Sequence, residues 1–109
     1  DNLYFYSDQA INSNQDSNSE FPKQLNLYQN YPNPFNPNTN IQFELPFAGN
    51  TSLKIYNSLG QLVQTLVDNY LSEGRHNYSF DANQLSSGIY FYQLQFGNKS
   101  ITNKMMLLK

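Results

Sequence analysis

The sequence is most decisive about the fold at residues 88–98, GIYFYQLQFGN. Large apolar side chains recur there at every second position, which is the period that places them on one face of a β-strand. These side chains are Tyr90, Tyr92, Leu94 and Phe96. Gly97-Asn98 follows as a two-residue connection with glycine first, as a type II′ hairpin turn requires. The stretch therefore predicts a strand that turns back into a final strand over residues 100–108.

Other segments of alternating apolar and polar residues predict the remaining strands. They cover about residues 25–30, 41–45, 53–57, 61–67 and 75–80. Between the third and fourth of these strands, residues 57–60 (NSLG) suit a type I turn with a glycine bulge. Seven short strands separated by frequent turn signals predict an all-β fold, an immunoglobulin-like antiparallel β-sandwich.

The composition supports one small domain of this class. The chain has 109 residues, with 9 tyrosines and 8 phenylalanines but no tryptophan, and aromatic residues favour strands. The absence of cysteine excludes disulfides, thiolate metal sites and cysteine nucleophiles. With a net charge of -2 and no dense basic patch, no nucleic-acid partner is expected.

Two segments depart from the strand pattern. Residues 8–20, DQAINSNQDSNSE, are polar and without periodicity, so we interpret residues 1–20 as the end of an upstream module and a flexible linker. The domain itself is predicted to span 21–109. Within it, residues 31–39 contain three prolines, which remove ladder donors and favour extended geometry. This segment is expected to be an ordered, extended crossing rather than a paired central strand.

The residues offer no catalytic constellation. Asp81 is expected in a loop before Gly88, where an aspartate usually ties a turn through its own backbone, and His76 alternates with Tyr78 as a packing residue should. A metal site needs several donors, and there is no phosphate-binding loop. The sequence therefore predicts a protein that is not an enzyme, with no catalytic residues, no metal and no cofactor.

Five motifs in order give the chain a family resemblance. They are LYQNYPNPFNP (27–37), IQFELP (41–46), LKIYNSLGQ (53–61), FDANQLSSGIYFY (80–92) and TNKMMLLK (102–109). Together they closely resemble the type IX secretion system type A C-terminal sorting domain, also called the Por secretion system C-terminal sorting domain. The resemblance covers about 21–109. One departure is visible, because family tails often carry two adjacent lysines where this chain has Asn103-Lys104.

The resemblance implies a function in protein export. Such domains direct an upstream cargo domain, delivered to the periplasm, through the outer-membrane type IX translocon. A sortase-like peptidase then commonly removes the domain, which places cleavage here in the polar segment before Phe21. The protein is therefore expected to be secreted or at the cell surface, by way of the periplasm and outer membrane.

The resemblance and the apolar, basic end of the last strand together lead to a hypothesis about candidate residues. Recognition by the translocon is assigned to Gly88, Tyr90, Lys104, Met106, Leu108 and Lys109, and the opening motif of Tyr31, Pro32, Asn33, Pro34 and Phe35 is structural. The run at 105–108, MMLL, is apolar on both faces, more than a one-sided strand needs. As the last strand, it is expected at a sheet edge, open to strand addition by a partner or by a second copy in a homodimer. Deletion of 107–109 is expected to block export while leaving the sandwich largely folded.

Two other functions compete with a sorting signal. A carbohydrate-binding Ig-like module would need a row of exposed aromatic side chains, whereas the tyrosines and phenylalanines alternate as core residues do. A structural spacer of a cell-surface protein would need no recognition surface at all. Export of a fused reporter would separate a sorting signal from both.

Overall fold

The computed structural model of the protein describes residues 24–109, which form seven β-strands. They are β1 (Asn26–Leu27), β2 (Asn38–Leu45), β3 (Gly49–Asn57), β4 (Leu62–Leu71), β5 (Gly74–Asp81), β6 (Gly88–Phe96) and β7 (Lys99–Leu107). The upstream end and linker predicted for 1–20 lie outside the described residues, as do 21–23. No helix in the described part of the chain is long and apolar enough to cross a membrane.

The strands form two antiparallel sheets packed face to face. One sheet has the strand order β1-β2-β5, and the other has the order β4-β3-β6-β7. The predicted immunoglobulin-like sandwich of seven strands is confirmed. The last strand, β7, pairs with β6 from Gly88↔Leu107 to Phe96↔Lys99 and stands last in its sheet, as predicted.

Alternate side chains of the strands fill the core between the sheets. On β6 the alternating residues of the sequence pattern are all buried, and on β2 Ile41, Phe43 and Leu45 face them. In β7, Met105 and Leu107 are buried while Met106 is exposed. Burying one such side chain contributes about 1.5–3 kcal/mol. A one-residue slip in register would expose the whole set, so the pattern dictates which face of each strand turns inward.

The β3–β4 hairpin closes on the predicted turn. The Gly60 N–H donates to the Asn57 carbonyl at 3.0 Å, and Gly60 has a φ of 81°, which suits glycine. The Asn57 Oδ1 atom also accepts hydrogen bonds from the N–H groups of Leu59 and Gln61, at 3.0 Å each. The asparagine side chain thus supplies the hydrogen-bond acceptor for two backbone N–H groups of the turn.

Four predicted strand boundaries were wrong. β2 begins at Asn38 rather than at 41, and β3 begins at Gly49 rather than at 53, because the residues before the apolar alternation also pair with a neighbouring strand. The first strand was expected over 25–30 but covers only Asn26–Leu27, because the Asn30 N–H turns inward to the Tyr92 hydroxyl instead of joining the ladder. The fourth strand was expected to end at 67 but continues to Leu71. Its extra residues pair with the start of β3, from Ser52↔Asp68 to Gly49↔Leu71, although polar side chains interrupt the apolar alternation there.

The proline-rich segment connects the two sheets. It is ordered, as predicted, but it bends at 32–34 and 36–37 rather than running straight, and its last two residues, Asn38 and Thr39, are paired in the central strand β2, contrary to the expectation. Tyr31 forms an antiparallel bridge to Asn40 of β2, and Phe35 forms a parallel bridge to Leu107 of β7. The Phe35 ring is buried and lies 6.1 Å from the Phe80 ring, so the segment also contributes to the core. It therefore runs from the edge of one sheet to the edge of the other.

Candidate recognition surface

The outer edge of β7 is only half open. The Phe35 N–H donates to the Met106 carbonyl and the Leu108 N–H donates to the Phe35 carbonyl, both at 3.0 Å. Just beside them, the Asn33 Oδ1 atom accepts from the Met106 N–H at 3.0 Å, and the Gln29 Nε2 atom donates to the Lys104 carbonyl at 3.0 Å. We call these four hydrogen bonds the edge clasp.

The clasp corrects the expectation of a fully open edge strand. In an antiparallel ladder alternate residues direct their backbone groups away from the partner strand, and Met106 is one of these. The same alternation directs the backbone N–H and C=O groups of Ser100 and Thr102 towards the free edge of β7, away from β6. Within residues 24–109, no hydrogen bond engages these two positions on the outer side. Only the first half of β7 therefore remains available for strand addition.

A buried polar network anchors the start of the clasp. Asn30 is 2% exposed, and its Nδ2 atom donates to the Thr39 hydroxyl at 3.0 Å and to the Pro32 carbonyl at 3.1 Å. The Thr39 hydroxyl in turn donates to the Pro32 carbonyl at 2.8 Å. A buried amide that lacked these partners would destabilise the fold, so the network locks the opening motif in one conformation.

Tyr92 joins this network to the opposite sheet. Its hydroxyl donates to the Tyr28 carbonyl and accepts from the Asn30 N–H, both at 2.8 Å. Asn103 approaches from β7 and donates to the same hydroxyl at 3.4 Å and to the Leu27 carbonyl at 3.3 Å. Burial raises the pKa of the Tyr92 hydroxyl, and the hydrogen bonds with Asn103 and Asn30 oppose that shift. Asn103 is thus a half-buried structural residue.

The candidate residues of the tail lie at the end of β7 and just beyond it. Lys104 and Met106 point outward from the sheet, and Met106 is 38% exposed. Leu108 is 51% exposed, while its backbone is held by Phe35. Lys109 is anchored twice, since its N–H donates to the Ser87 hydroxyl at 2.9 Å and its Nζ atom donates to the Asn83 carbonyl at 2.6 Å. The structure therefore brings these four residues together on a stretch of backbone that hydrogen bonds hold in place.

The other two recognition candidates, Tyr90 and Gly88, present no side chain at the surface. Tyr90 is buried, and its hydroxyl donates to the Ser86 carbonyl at 2.7 Å. Gly88 has a φ of 153°, a conformation that other residues rarely adopt, although a Cβ atom there would meet nothing within 4 Å. The conformation rather than the available space therefore favours glycine at this position. A role in recognition remains a prediction for both residues.

The opening motif divides into anchors and exposed side chains. Phe35 is buried, and the Asn33 side chain accepts the hydrogen bond from the Met106 N–H. The Pro32 carbonyl accepts a hydrogen bond from the Asn30 side chain. Tyr31 is paired through its backbone with Asn40, but its side chain is exposed. Pro34 lies exposed between Asn33 and Phe35. The contacts of Asn33 and Phe35 hold the end of β7, and the structural role expected for the whole motif stays a prediction.

The isolated titratable residues have structural partners. The Asp81 Oδ1 atom accepts from the Asn83 N–H at 2.9 Å, which is the turn contact expected for it. His76 stacks on Phe43 with ring centroids 5.4 Å apart, and its Nε2 atom lies 2.8 Å from the Ser72 carbonyl oxygen. Among residues 24–109, no three His, Cys, Asp or Glu side chains are placed to hold a metal ion.

Sequence analysis missed the outward apolar residues of the four-stranded sheet. Tyr56, Ile89 and Phe91 alternate with buried positions and are only half-buried. The signal was present in residues 89–92, IYFY, where four consecutive apolar residues make both faces of β6 apolar. The most exposed aromatic side chains, by contrast, are Tyr31, Phe47 and Tyr70, which come from three different segments rather than one strand.

Comparisons with known proteins agree with the fold and the motifs. The family described as "Secretion system C-terminal sorting domain" matches residues 29–108. No curated protein sequence matches the chain. Among solved structures, PorZ, an essential bacterial surface component of the type-IX secretion system of Porphyromonas gingivalis, is similar with a TM-score of 0.51 and 19% identity. The match covers 78% of this chain and only 11% of that chain, and at this identity the likeness extends to the fold alone.

Proposed function

This chain belongs to the family of type IX secretion C-terminal sorting domains, and we propose that the end of β7 is the part that the outer-membrane translocon reads. A sorting domain of this kind sends its cargo to the cell surface or beyond. In the proposed route, cargo reaches the periplasm first, and the folded domain then docks on the translocon.

One observation carries the choice of surface. Met106 and Leu108 expose apolar side chains, while the clasp from Asn33 and Phe35 holds their backbone. A preorganised surface loses little conformational entropy on binding, so exposed apolar groups on a held strand favour docking. Lys104 and Lys109 add positive charge beside them, which contributes to specificity and to the association rate. The domain therefore offers a rigid, charged-apolar docking end.

Removal of the domain after export is the second part of the proposal. The polar segment of residues 8–20 precedes the sandwich, and a peptidase needs an extended substrate that it can reach. We place cleavage by a sortase-like peptidase within this stretch. The upstream cargo would thereby reach the cell surface or the medium without the sorting domain.

The test is a secretion assay with a reporter. A signal peptide and a fluorescent protein are fused before the 109-residue chain, and the fusion is expressed in a host with a type IX system. We expect the reporter at the cell surface or in the medium, with the domain removed by a cut before residue 21. Reporter that stays in the periplasm would refute the sorting function, and export of an uncut fusion would refute the cleavage.

Substitutions test the docking end better than a deletion does. Leu107 is fully buried, so deleting 107–109 would also open the core, contrary to the expectation of a largely folded sandwich. Met106→Ser with Leu108→Ser leaves the core intact and should retain the reporter in the periplasm. Leu59→Ser removes a leucine that is 81% exposed at the β3–β4 turn and serves as the matched control. Equal export of both variants would contradict the proposal.

A further inference from the structure

The outer face of the four-stranded sheet is divided into a polar half and an apolar half. In the polar half, one cross-strand row runs Asp68–Ser52–Gln95–Ser100 and the next runs Thr65–Lys54–Gln93–Thr102. In the apolar half, a single row crosses all four strands as Leu62–Tyr56–Phe91–Lys104, and Ile89 pairs with Met106 beside it. We call Tyr56, Leu62, Ile89, Phe91 and Met106 the outer apolar patch.

A sheet face that meets water carries mostly polar residues, as the two neighbouring rows of this face do, with Tyr70 as an isolated exposed aromatic beyond them. The patch departs from that rule at adjacent positions on four different strands. Leu62 is 55% exposed and Met106 is 38% exposed, and neither packs against the core cluster. A contiguous apolar surface of this kind marks a docking site rather than scattered surface residues.

The charges around the patch are of one sign. Lys104 completes the apolar row itself, and Lys54 stands in the neighbouring row. The nearest carboxylate on this face by register is Asp68, which lies one row farther along the sheet. A complementary partner must therefore bring an apolar centre with acidic side chains at its rim.

Geometry separates a protein partner from a membrane and from a second copy. Interfacial helices bury their apolar side roughly 5–10 Å into lipid, whereas Phe91 and Ile89 are half-buried on a sheet and protrude little. A second copy docked about a two-fold axis would bring the same patch against itself. Both copies would then bring the lysines Lys54 and Lys104 to the interface with no carboxylate of residues 24–109 beside the patch to pair with them, and like charges across an interface are unfavourable.

We propose that the outer apolar patch is a second docking surface, which binds an acidic-rimmed protein of the export machinery through the face of the sheet. This inference rests on the proposed sorting function, and it adds Tyr56, Leu62, Ile89 and Phe91 to the residues that are read. The face binds through side chains and leaves the backbone of β7 untouched. It therefore works while the edge clasp stays closed.

Two variants away from the tail test the patch. In the reporter fusion of the full chain, Phe91→Thr removes the apolar centre and keeps a residue suited to strands. Lys54→Glu reverses the rim charge. We expect each variant to lower the exported fraction of the reporter at least about tenfold, because interface energy concentrates in central aromatic anchors and charge reversal repels an acidic rim.

Matched controls exclude a general loss of folding or charge. Tyr70→Thr removes an exposed aromatic from the far end of β4, and Lys99→Glu reverses a lysine at the far end of β7. Both should export as the unmodified fusion does. Thermal unfolding of each purified chain should leave Lys54→Glu within about 3 °C of the parent, since surface substitutions change stability little.

Each outcome bears on the proposal. Failure of the unmodified fusion to be exported would overturn the sorting function itself. Normal export of the unmodified fusion and of both patch variants would overturn the patch alone. Two measurements on the purified chain test other occupants, namely sedimentation with vesicles containing phosphatidylglycerol and light scattering over concentration. Vesicle binding, or a dimer, that is lost in Phe91→Thr would overturn the protein partner in favour of a membrane or a second copy.

Discussion

The hydroxyl of Tyr92 accepts a hydrogen bond from the backbone N–H of Asn30 at 2.8 Å, across 62 positions in sequence. The bond joins the central strand of one sheet to the chain as it leaves the other. It also ends the ladder of β1, because that N–H would otherwise face β2. One buried phenol therefore holds the chain at the point where pairing with β2 is interrupted, before it resumes at the bridge between Tyr31 and Asn40.

Loss of this hydroxyl should weaken the fold. Tyr92→Phe leaves the buried Asn30 N–H without its partner, which should lower the free energy of unfolding by about 1–3 kcal/mol. Urea denaturation followed by far-UV circular dichroism measures the change. Tyr70→Phe, at a side chain that is 69% exposed, should change it by less than about 0.5 kcal/mol. Equal stabilities of the two variants would contradict the role given to the network.

The same hydroxyl should make stability sensitive to alkaline pH. Burial raises the pKa of Tyr92 in the folded protein, whereas in the unfolded chain the phenol titrates near its ordinary value of about 10. The contribution of the neutral phenol is therefore complete below about pH 10 and is lost as the pH rises towards the raised pKa. Free energies of unfolding measured between pH 8 and 11 should fall more steeply for the parent than for Tyr92→Phe. Parallel curves would contradict the shift.

The edge clasp should be visible in hydrogen exchange. The N–H groups of Met106 and Leu108 have partners on the outer edge of β7, whereas that of Thr102 has none among residues 24–109. Exchange monitored by NMR should therefore be slow at the first two positions and fast at the third.

Substitution of the clasp asparagine gives a matched test. Asn33→Ala removes the acceptor of the Met106 N–H and should cost about 1 kcal/mol, with faster exchange at Met106 alone. Asn36→Ala changes an exposed asparagine of the same segment and should leave both quantities unaltered. Slow exchange at Met106 in Asn33→Ala would show that the asparagine is not its essential partner.

The expected homodimer now has a more restricted geometry. Since the clasp occupies the second half of the β7 edge, a second copy can add only along the first half, near Ser100 and Thr102. We expect light scattering to show a concentration-dependent dimer that Thr102→Pro abolishes. Proline removes the outward N–H and is tolerated at such edge positions, so the monomer should stay folded. A parent chain that remains monomeric at millimolar concentration would contradict the prediction.

Much of the fold followed from local pattern. Alternation in residues 88–108 predicted β6, β7 and their buried faces, because a strand's period of two is a local property of the chain. The turn at 57–60 could also be predicted from local sequence, since asparagine and glycine have specific backbone roles there. The resemblance of the motifs, rather than any chemistry of single residues, pointed to the family.

The clasp and the patch were not predictable in the same way. The hydrogen bond from Met106 to Asn33 spans 73 positions, and no local period reports such a contact. The row from Leu62 to Lys104 depends on register across four strands, including two irregularities in the β3–β4 pairing. Sequence analysis recognised apolar residues on both faces at the end of β7 but missed those on the outer face of β6. Only the topology brings those residues onto one surface.

The parallel bridge between Phe35 and Leu107 has a mechanical consequence. A terminal strand at a sheet edge ordinarily peels away from its neighbour one residue at a time under tension. Here the end of β7 is hydrogen-bonded along both of its edges, to β6 on one side and to Phe35 on the other. A pull on the tail must break both sets of bonds, so the end of β7 resists peeling more than a strand that is paired on one side only.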